Sequence, residues 1–286
     1  MAAITQTGSA KPTRAQTMSI LVGASVMLSL SMGMRQSFGV FMTPMTTDLG
    51  ISVADFTLAL ALQNIAWGFT QPVVGAYADR FGSRPVTVGG TLLYMVGIVV
   101  TIFATGPVAL ILGTGILMGL ALSCTAASLA MTAGARAVSP MQRSMVLGVV
   151  SAAGSFGTVL AAPLAQGLIS HGGWQVALVG FLVLCAIMLP AAWCCGGIDR
   201  LPRREYHGSA SSEGSLTLRG VLDEAYHHRG YVTMAMAFFV CGLQLVFLTT
   251  HLPTFLAACG QDPMLSAQAL ATIGAFNVGG CYLLGW

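Results

Sequence analysis

Eight apolar runs of twenty or more residues follow one another along this chain, at 18–45, 56–78, 86–105, 107–135, 144–170, 174–196, 231–258 and 266–286. At about 1.5 Å of rise per residue, roughly 20 apolar residues cross a hydrocarbon layer of ~30 Å. Inside that layer every backbone N–H and C=O must be satisfied within the segment, which leaves the helix as the form for each run. Charged residues make up only 7% of the sequence, against about a quarter in soluble domains. The 35 glycines suit helices packed backbone to backbone. The chain therefore reads as an all-α polytopic membrane protein. Several runs exceed the minimum length, so tilt is expected. A cleavable signal peptide is not expected, because residues 1–17 are polar and the first run is too long for a signal core.

The loops fix an expected orientation. Lys11 and Arg14 precede the first span, Arg80 and Arg84 lie between spans two and three, and Arg136 and Arg143 between four and five. Arg200, Arg203, Arg204, Arg219 and Arg229 lie between six and seven, whereas the alternate loops hold no Lys or Arg. The positive-inside rule then puts the N-terminus in the cytoplasm. The expected organisation is a tail over 1–17, six spans over 18–196, a cytoplasmic Ser/Gly-containing linker over 197–230, and two further spans over 231–286. Within the linker, 218–228 is a candidate for a short surface helix. The seven cysteines show no metal spacing and read as small packing residues. Acylation of Cys194 and Cys195 is the weaker alternative.

One cation lies inside a span. Arg35 stands nine residues before Pro44, which places it roughly 15 Å deep, near the middle of the layer. Burying it there costs about 2.5–3.5 kcal/mol on insertion scales. Its side chain reaches perhaps half the distance needed to snorkel out. No Asp or Glu lies inside any span, so this chain offers it no fixed ion pair. A planar guanidinium accepts a carboxylate through two parallel hydrogen bonds, which makes Arg35 a candidate anion site. The competing reading is a structural arginine held by helix carbonyls.

Gln63, Trp67 and Gln71 recur every four residues on one side of span two, next to Asn64. Together they are expected to line a wet cavity, though each alone reads as interhelical glue. Gln244 and His251 are seven residues apart in span seven, and Asn277 lies in span eight. Gln244 and Asn277 are candidate cavity residues. His251 is a candidate proton site, with a helix-end hydrogen bond beside Pro253 as the competing role. Gly148, Gly154 and Gly157 in span five suit close helix contact.

The loop Gly75-Ala-Tyr-Ala-Asp79-Arg80-Phe-Gly82-Ser-Arg84-Pro85 is the most specific motif. Its glycines permit a tight turn, and Asp79 is expected to accept hydrogen bonds from a neighbouring helix N-terminus. A parallel echo accompanies it: Pro44 stands 31 residues before Gly75, and Pro253 stands 32 before Gly285.

This loop resembles the signature loop of the major facilitator superfamily, and span order, linker and echo extend the resemblance over the whole chain. The resemblance implies a major facilitator fold, here the N-terminal six-helix bundle plus the first two helices of the C-terminal bundle. It implies alternating access, and a cytoplasmic gating role for Gly75, Asp79, Arg80, Gly82 and Arg84. Gly33-Met-Arg35-Gln-Ser-Phe-Gly39 resembles the first helix of the monocarboxylate and oxalate/formate transporter groups, some of whose members carry a cation there for the substrate carboxylate. Span four reads Gly113-Thr-Gly-Ile-Leu-Met-Gly119 without the arginine common in proton-driven drug exporters.

The function expected is secondary active transport of a small organic anion, a monocarboxylate, across a bacterial inner membrane, with a coupled proton or counter-anion as candidate partner. Substrate contacts are expected from Arg35, Gln63, Trp67, Gln244 and Asn277. Export of amphiphilic compounds, or a non-transporting membrane module, are the alternatives. No catalytic residue, metal or cofactor is expected, because the sequence has no paired intramembrane carboxylates, nucleophile triad spacing or nucleotide loop. Eight spans and an end just before the second signature loop lead to the expectation of a C-terminally truncated carrier.

Overall fold

A computed structural model describes residues 13–200, 223 and 226–286. The expected surface helix over 218–228 lies largely outside these residues. Among them every regular element is helical. Span one is α1 (Arg14–Gln36), a 3-10 turn (Ser37–Phe41) and α2 (Met42–Leu49). Thr13 starts α1 through a capping box, its hydroxyl accepting from the Gln16 N–H at 3.3 Å while Gln16 Oε1 accepts from the Thr13 N–H at 3.0 Å. Span two is α3 (Val53–Phe81), opened by a second capping box between Ser52 and Asp55. Span three is α4 (Ser83–Ile102).

Span four is broken into α5 (Pro107–Leu110), a π-helical segment (Ile111–Leu117), α6 (Met118–Thr125) and α7 (Ala127–Ala137). A π-helical turn departs from the i to i−4 ladder, and Gln63 of α3 donates to the Thr114 carbonyl there at 2.9 Å. Spans five and six form one continuous stretch, α8 (Arg143–Cys195), with Gly173 at φ 81 and ψ 175 inside it. Only glycine adopts that backbone without strain. Spans seven and eight are α9 (Arg229–Ala258) and α10 (Pro263–Gly285).

Six stretches are long and apolar enough to cross a membrane, one of them the 61-residue Pro140–Arg200. The packing shows that this stretch makes two passes. Before Gly173, Gly154 and Gly157 lie against Leu28 and Ser29 of α1. After it, Phe181 packs on Phe38 and Phe41, Cys185 on Met34, and Cys195 beside Gly23. The two arms thus run along span one in opposite directions. α3 stands outside the six because Gln63, Asn64 and Gln71 dilute its hydropathy.

Passes consecutive in the chain alternate in direction, while span five runs parallel to span one. Span four runs antiparallel to span one, with Thr125 on Ser31 and the Ala137 carbonyl on Thr17. α10 runs antiparallel to span five, with Gly285 on Gly148 and Gly274 on Ser155. One end of the bundle consequently gathers Arg14, Arg80, Arg84, Arg136, Arg143, Arg200 and Arg229.

The tightest seam joins spans one and five. A Cβ at Gly33 would lie 2.5 Å from the Gly157 carbonyl oxygen, and one at Gly157 would overlap the Ser29 carbonyl. Small residues there let the two backbones touch, the packing that replaces hydrophobic burial within lipid. Behind the seam, Phe38, Phe41 and Phe181 cluster with centroids 5.3–6.3 Å apart. α9 is the least buried helix. It touches span one through Thr249 against Gly39 and through Thr254, which donates to Met42 Sδ at 2.9 Å.

Candidate functional site

Arg35 sits on the last turn of α1, between the glycine seam at Gly33 and the 3-10 turn that carries Gly39. Its guanidinium donates through Nη2 to Asn64 Oδ1 on α3. The Asn64 amide donates in turn to the Leu60 carbonyl at 2.7 Å, which fixes the oxygen toward the arginine. The same guanidinium stacks over Trp67, with Cζ 4.8 Å from the ring centroid. An amide oxygen and a π face stabilise the cation without neutralising it.

Three buried donors at or beside this place lack an acceptor among the described residues: Arg35 Nε, Trp67 Nε1 and the Tyr94 hydroxyl. No carboxylate pairs with Arg35 among the described residues, where the one ion pair is His227 with Asp223. What the arrangement lacks is an acceptor with negative charge. The space beside Arg35 is lined by Leu60, Gln63 and Asn64 of α3 and by Val246, Thr249 and Thr250 of α9 and measures about 10 Å³, room for about one water. Gly39 lets α9 come this close, since a Cβ there would overlap the Thr249 carbonyl.

The residues expected from the sequence divide into two groups. Arg35, Gln63 and Trp67 come together, although Gln63 is buried and spent on the Thr114 carbonyl. Gln71 lies further along α3 and donates to Ser128 at 2.6 Å. Gln244 and Asn277 are exposed on α9 and α10, away from Arg35. His251 is partly buried with its ring 5.1 Å from Phe247, and among the described residues it makes no hydrogen bond to a helix end. Asn64 and Tyr94 contribute more than sequence reasoning gave them. The i+1 position of Asn64 beside Gln63 was a usable signal for the first, and nothing marks Tyr94 within an apolar run.

In the signature loop, Gly82 turns the chain at φ 98. The carboxylate that receives the start of α4 is Asp199, which accepts from the Ser83 and Arg84 N–H groups at 2.7 and 2.8 Å. The expectation for Asp79 is corrected on this point. Asp79 lies on the last turn of α3, exposed, whereas the chain leaving α8 brings Asp199 under the open amides of α4. Arg84 stacks on Trp193 at 4.4 Å and Arg80 on Phe81 at 5.3 Å. Gly75 faces open space.

Relatives of known name agree with this architecture. The chain is 27% identical over 263 residues to monocarboxylate transporter 4 of Rattus norvegicus, covering 91% of this chain and 54% of that protein. It is 25% identical over 274 residues to monocarboxylate transporter 13 of Bos taurus, covering 93% and 60%. An uncharacterised MFS-type transporter of Bacillus subtilis is 24% identical, over 88% of this chain and 60% of its own length. The chain thus spans a little over half the length of these relatives. In fold it is similar to a bacterial homologue of the human lysosomal transporter Spinster, solved inward-facing and unoccupied. That match has a TM-score of 0.67 and 16% identity, and covers 92% of this chain and 60% of that one. Residues 24–286 match the sequence pattern of one family throughout, and this multi-pass membrane chain belongs to the Major Facilitator Superfamily.

Proposed function

We propose that the protein carries out secondary active transport of a small organic anion, a monocarboxylate, with Arg35 as the counter-charge for the substrate carboxylate. One observation carries this reading. A half-buried guanidinium has no anionic partner within the described chain, and two buried donors, its own Nε and Nε1 of the Trp67 it stacks on, have no acceptor there. A carboxylate supplies the kind of acceptor that these donors lack, and its charge removes the penalty of a bare cation in the bilayer. The names of the relatives support a monocarboxylate as the class.

Access alternates between the two faces of the bundle. The basic end faces the cytoplasm by the positive-inside rule, which makes the N-terminus cytoplasmic, and the membrane we assign is the bacterial inner membrane. Gly75, Asp79, Arg80, Gly82 and Arg84 act at the cytoplasmic gate. His251 is the group available for a coupled proton.

The test is binding to the purified chain in detergent, read by tryptophan fluorescence, because an anion arriving between Arg35 and Trp67 changes the environment of that indole. Acetate and pyruvate are titrated against neutral acetamide. A saturable change with the two anions that is absent with acetamide, and absent in Arg35→Ala, is expected. An equal response from Arg35→Ala would remove the basis of the proposal.

A further inference from the structure

We infer a second anion site, for a phosphate group carried at the membrane edge, at the basic end of the bundle between spans one, three and six. A cavity of about 360 Å³ opens there, within the size range of small-molecule sites. Its wall takes Gln16 and Ser19 from the first turns of α1, Arg84 from α4, Trp193 from α8, and Arg200 just beyond. Among the described residues two cations line it and no carboxylate does.

The arginine is held in position without a charged partner. Arg84 lies over the Trp193 ring with Cζ 4.4 Å from the centroid, which orients the plane of its fork. Its Nε is buried and has no hydrogen-bond partner among the described residues. Asp199 receives the Ser83 and Arg84 backbone N–H groups on its two oxygens and makes no ion pair with the guanidinium. Neither Arg84 nor Arg200 enters an ion pair among the described residues. A planar fork with an open N–H, beside a second arginine, is the arrangement that receives phosphate oxygens.

The site lies at headgroup depth, where α1 and α4 begin and α8 ends. Trp193 is 55% exposed, as an interfacial indole is. Met18 and Val22, both exposed, continue the α1 face of Ala15 toward the hydrocarbon. An anionic phospholipid matches all three parts: phosphate between Arg84 and Arg200, glycerol oxygens at Gln16 and Ser19, and an acyl chain along Met18 and Val22. Basic pockets between transmembrane helices bind such headgroups elsewhere. A soluble phosphate shares the first part only.

The experiment is native mass spectrometry of the purified chain with phosphatidylglycerol, with phosphatidylcholine, and with inorganic phosphate as competitor. One phosphatidylglycerol is expected to be retained in preference to phosphatidylcholine. Its affinity should fall about fivefold in Arg200→Gln and about 25-fold in Arg84→Gln/Arg200→Gln. Arg229→Gln, which removes a charge at the same end outside the cavity, should stay within about twofold. Displacement of the lipid by millimolar phosphate, sensitive to the same substitutions, upholds the phosphate site and assigns it a soluble source. Equal retention by wild type and double variant overturns the inference, as does equal retention of the two lipids. If the double variant aggregates, Arg200→Gln alone decides, since that side chain is exposed and loss of its charge leaves the packing intact.

Discussion

Replacing Asn64 by aspartate tests the role of Arg35 without removing it. In the structure Asn64 Oδ1 occupies one guanidinium N–H, and the free space beside Arg35 is about 10 Å³. An incoming carboxylate must therefore displace the amide. A neutral hydrogen bond is worth about 0.5–1.5 kcal/mol net and one between charged groups about 1.5–3 kcal/mol. In Asn64→Asp the anion competes with a tethered carboxylate at the same position, an added penalty of about 1–2 kcal/mol. At 1.4 kcal/mol per tenfold this weakens binding roughly 5- to 30-fold. The weakening approaches about a thousandfold if the pair behaves as fully buried, where breaking it costs about 3–5 kcal/mol.

Asn64→Ala gives the opposite contrast. It leaves Arg35 with only the Trp67 face, so the fold loses stability while the anion meets no competitor. Tryptophan fluorescence titration with pyruvate supplies both affinities, and thermal unfolding in detergent the stabilities. The expected order of affinity is Asn64→Ala at or above wild type, then Asn64→Asp far below, with stability in the reverse order. An Asn64→Asp variant that binds pyruvate within about twofold of wild type would refute the reasoning, because no displaceable acceptor would then stand at Arg35.

Asp199→Ala removes both acceptors from the start of α4 and should lower stability by about 1–2 kcal/mol, read as a fall in unfolding temperature, while Asp79→Ala leaves it nearly unchanged. Gly39→Val should push α9 from span one, because the added Cβ meets the Thr249 carbonyl; a cysteine introduced at Thr249 should then react faster with a water-soluble maleimide. Hydrogen bonds from Ser52 hold the Asp55 carboxyl, outside the apolar run, below its usual range. A lowered folded value means that this cap is complete above the ordinary carboxylate range and is lost as pH falls through the lowered one. Amide exchange at Asp55 and Phe56, corrected for intrinsic rates, should therefore quicken at acid pH in wild type and lose that dependence in Asp55→Asn.

The passes were legible because apolar length is a property of composition alone. Even the reversal at Gly173 was readable, from a polar His171-Gly-Gly173 interruption between two apolar runs. Arg35 was legible because a charge in a span has few places to go. The partners of that charge were less so. Gln63, Trp67 and Gln71 share a helix side at four-residue spacing, yet their side chains go to Thr114, Arg35 and Ser128, three different places. A helix side of four-residue steps drifts about 40° per repeat, so a stripe names neighbours without saying which partner each one meets. Gln244 and Asn277 failed to reach Arg35 for a related reason: polarity marks them in an apolar helix, but rotation about the axis of α9 or α10 is set by packing. Asp199 was invisible because a helix start is capped here by a residue 116 positions away.

The position of Arg35 between two glycine contacts bears on how binding and movement are linked. On one side Gly33 and Gly157 fix span one to span five by backbone contact, in a fully buried seam. On the other side Gly39 receives the Thr249 carbonyl of α9, whose spanning segment is the least buried of the six. A ligand shifts an equilibrium only by its differential affinity for the two states. The space beside Arg35 is too small for a carboxylate, so on the proposed function an anion binds there only once α9 has moved. Elements with little buried contact open at the lowest cost, and on the proposed function α9, not span five, is the element that yields. The charge and the hinge are then one device. On the proposed function, the fixed seam holds the guanidinium while the loose contact gives way, so that arrival of an anion and displacement of α9 form a single step.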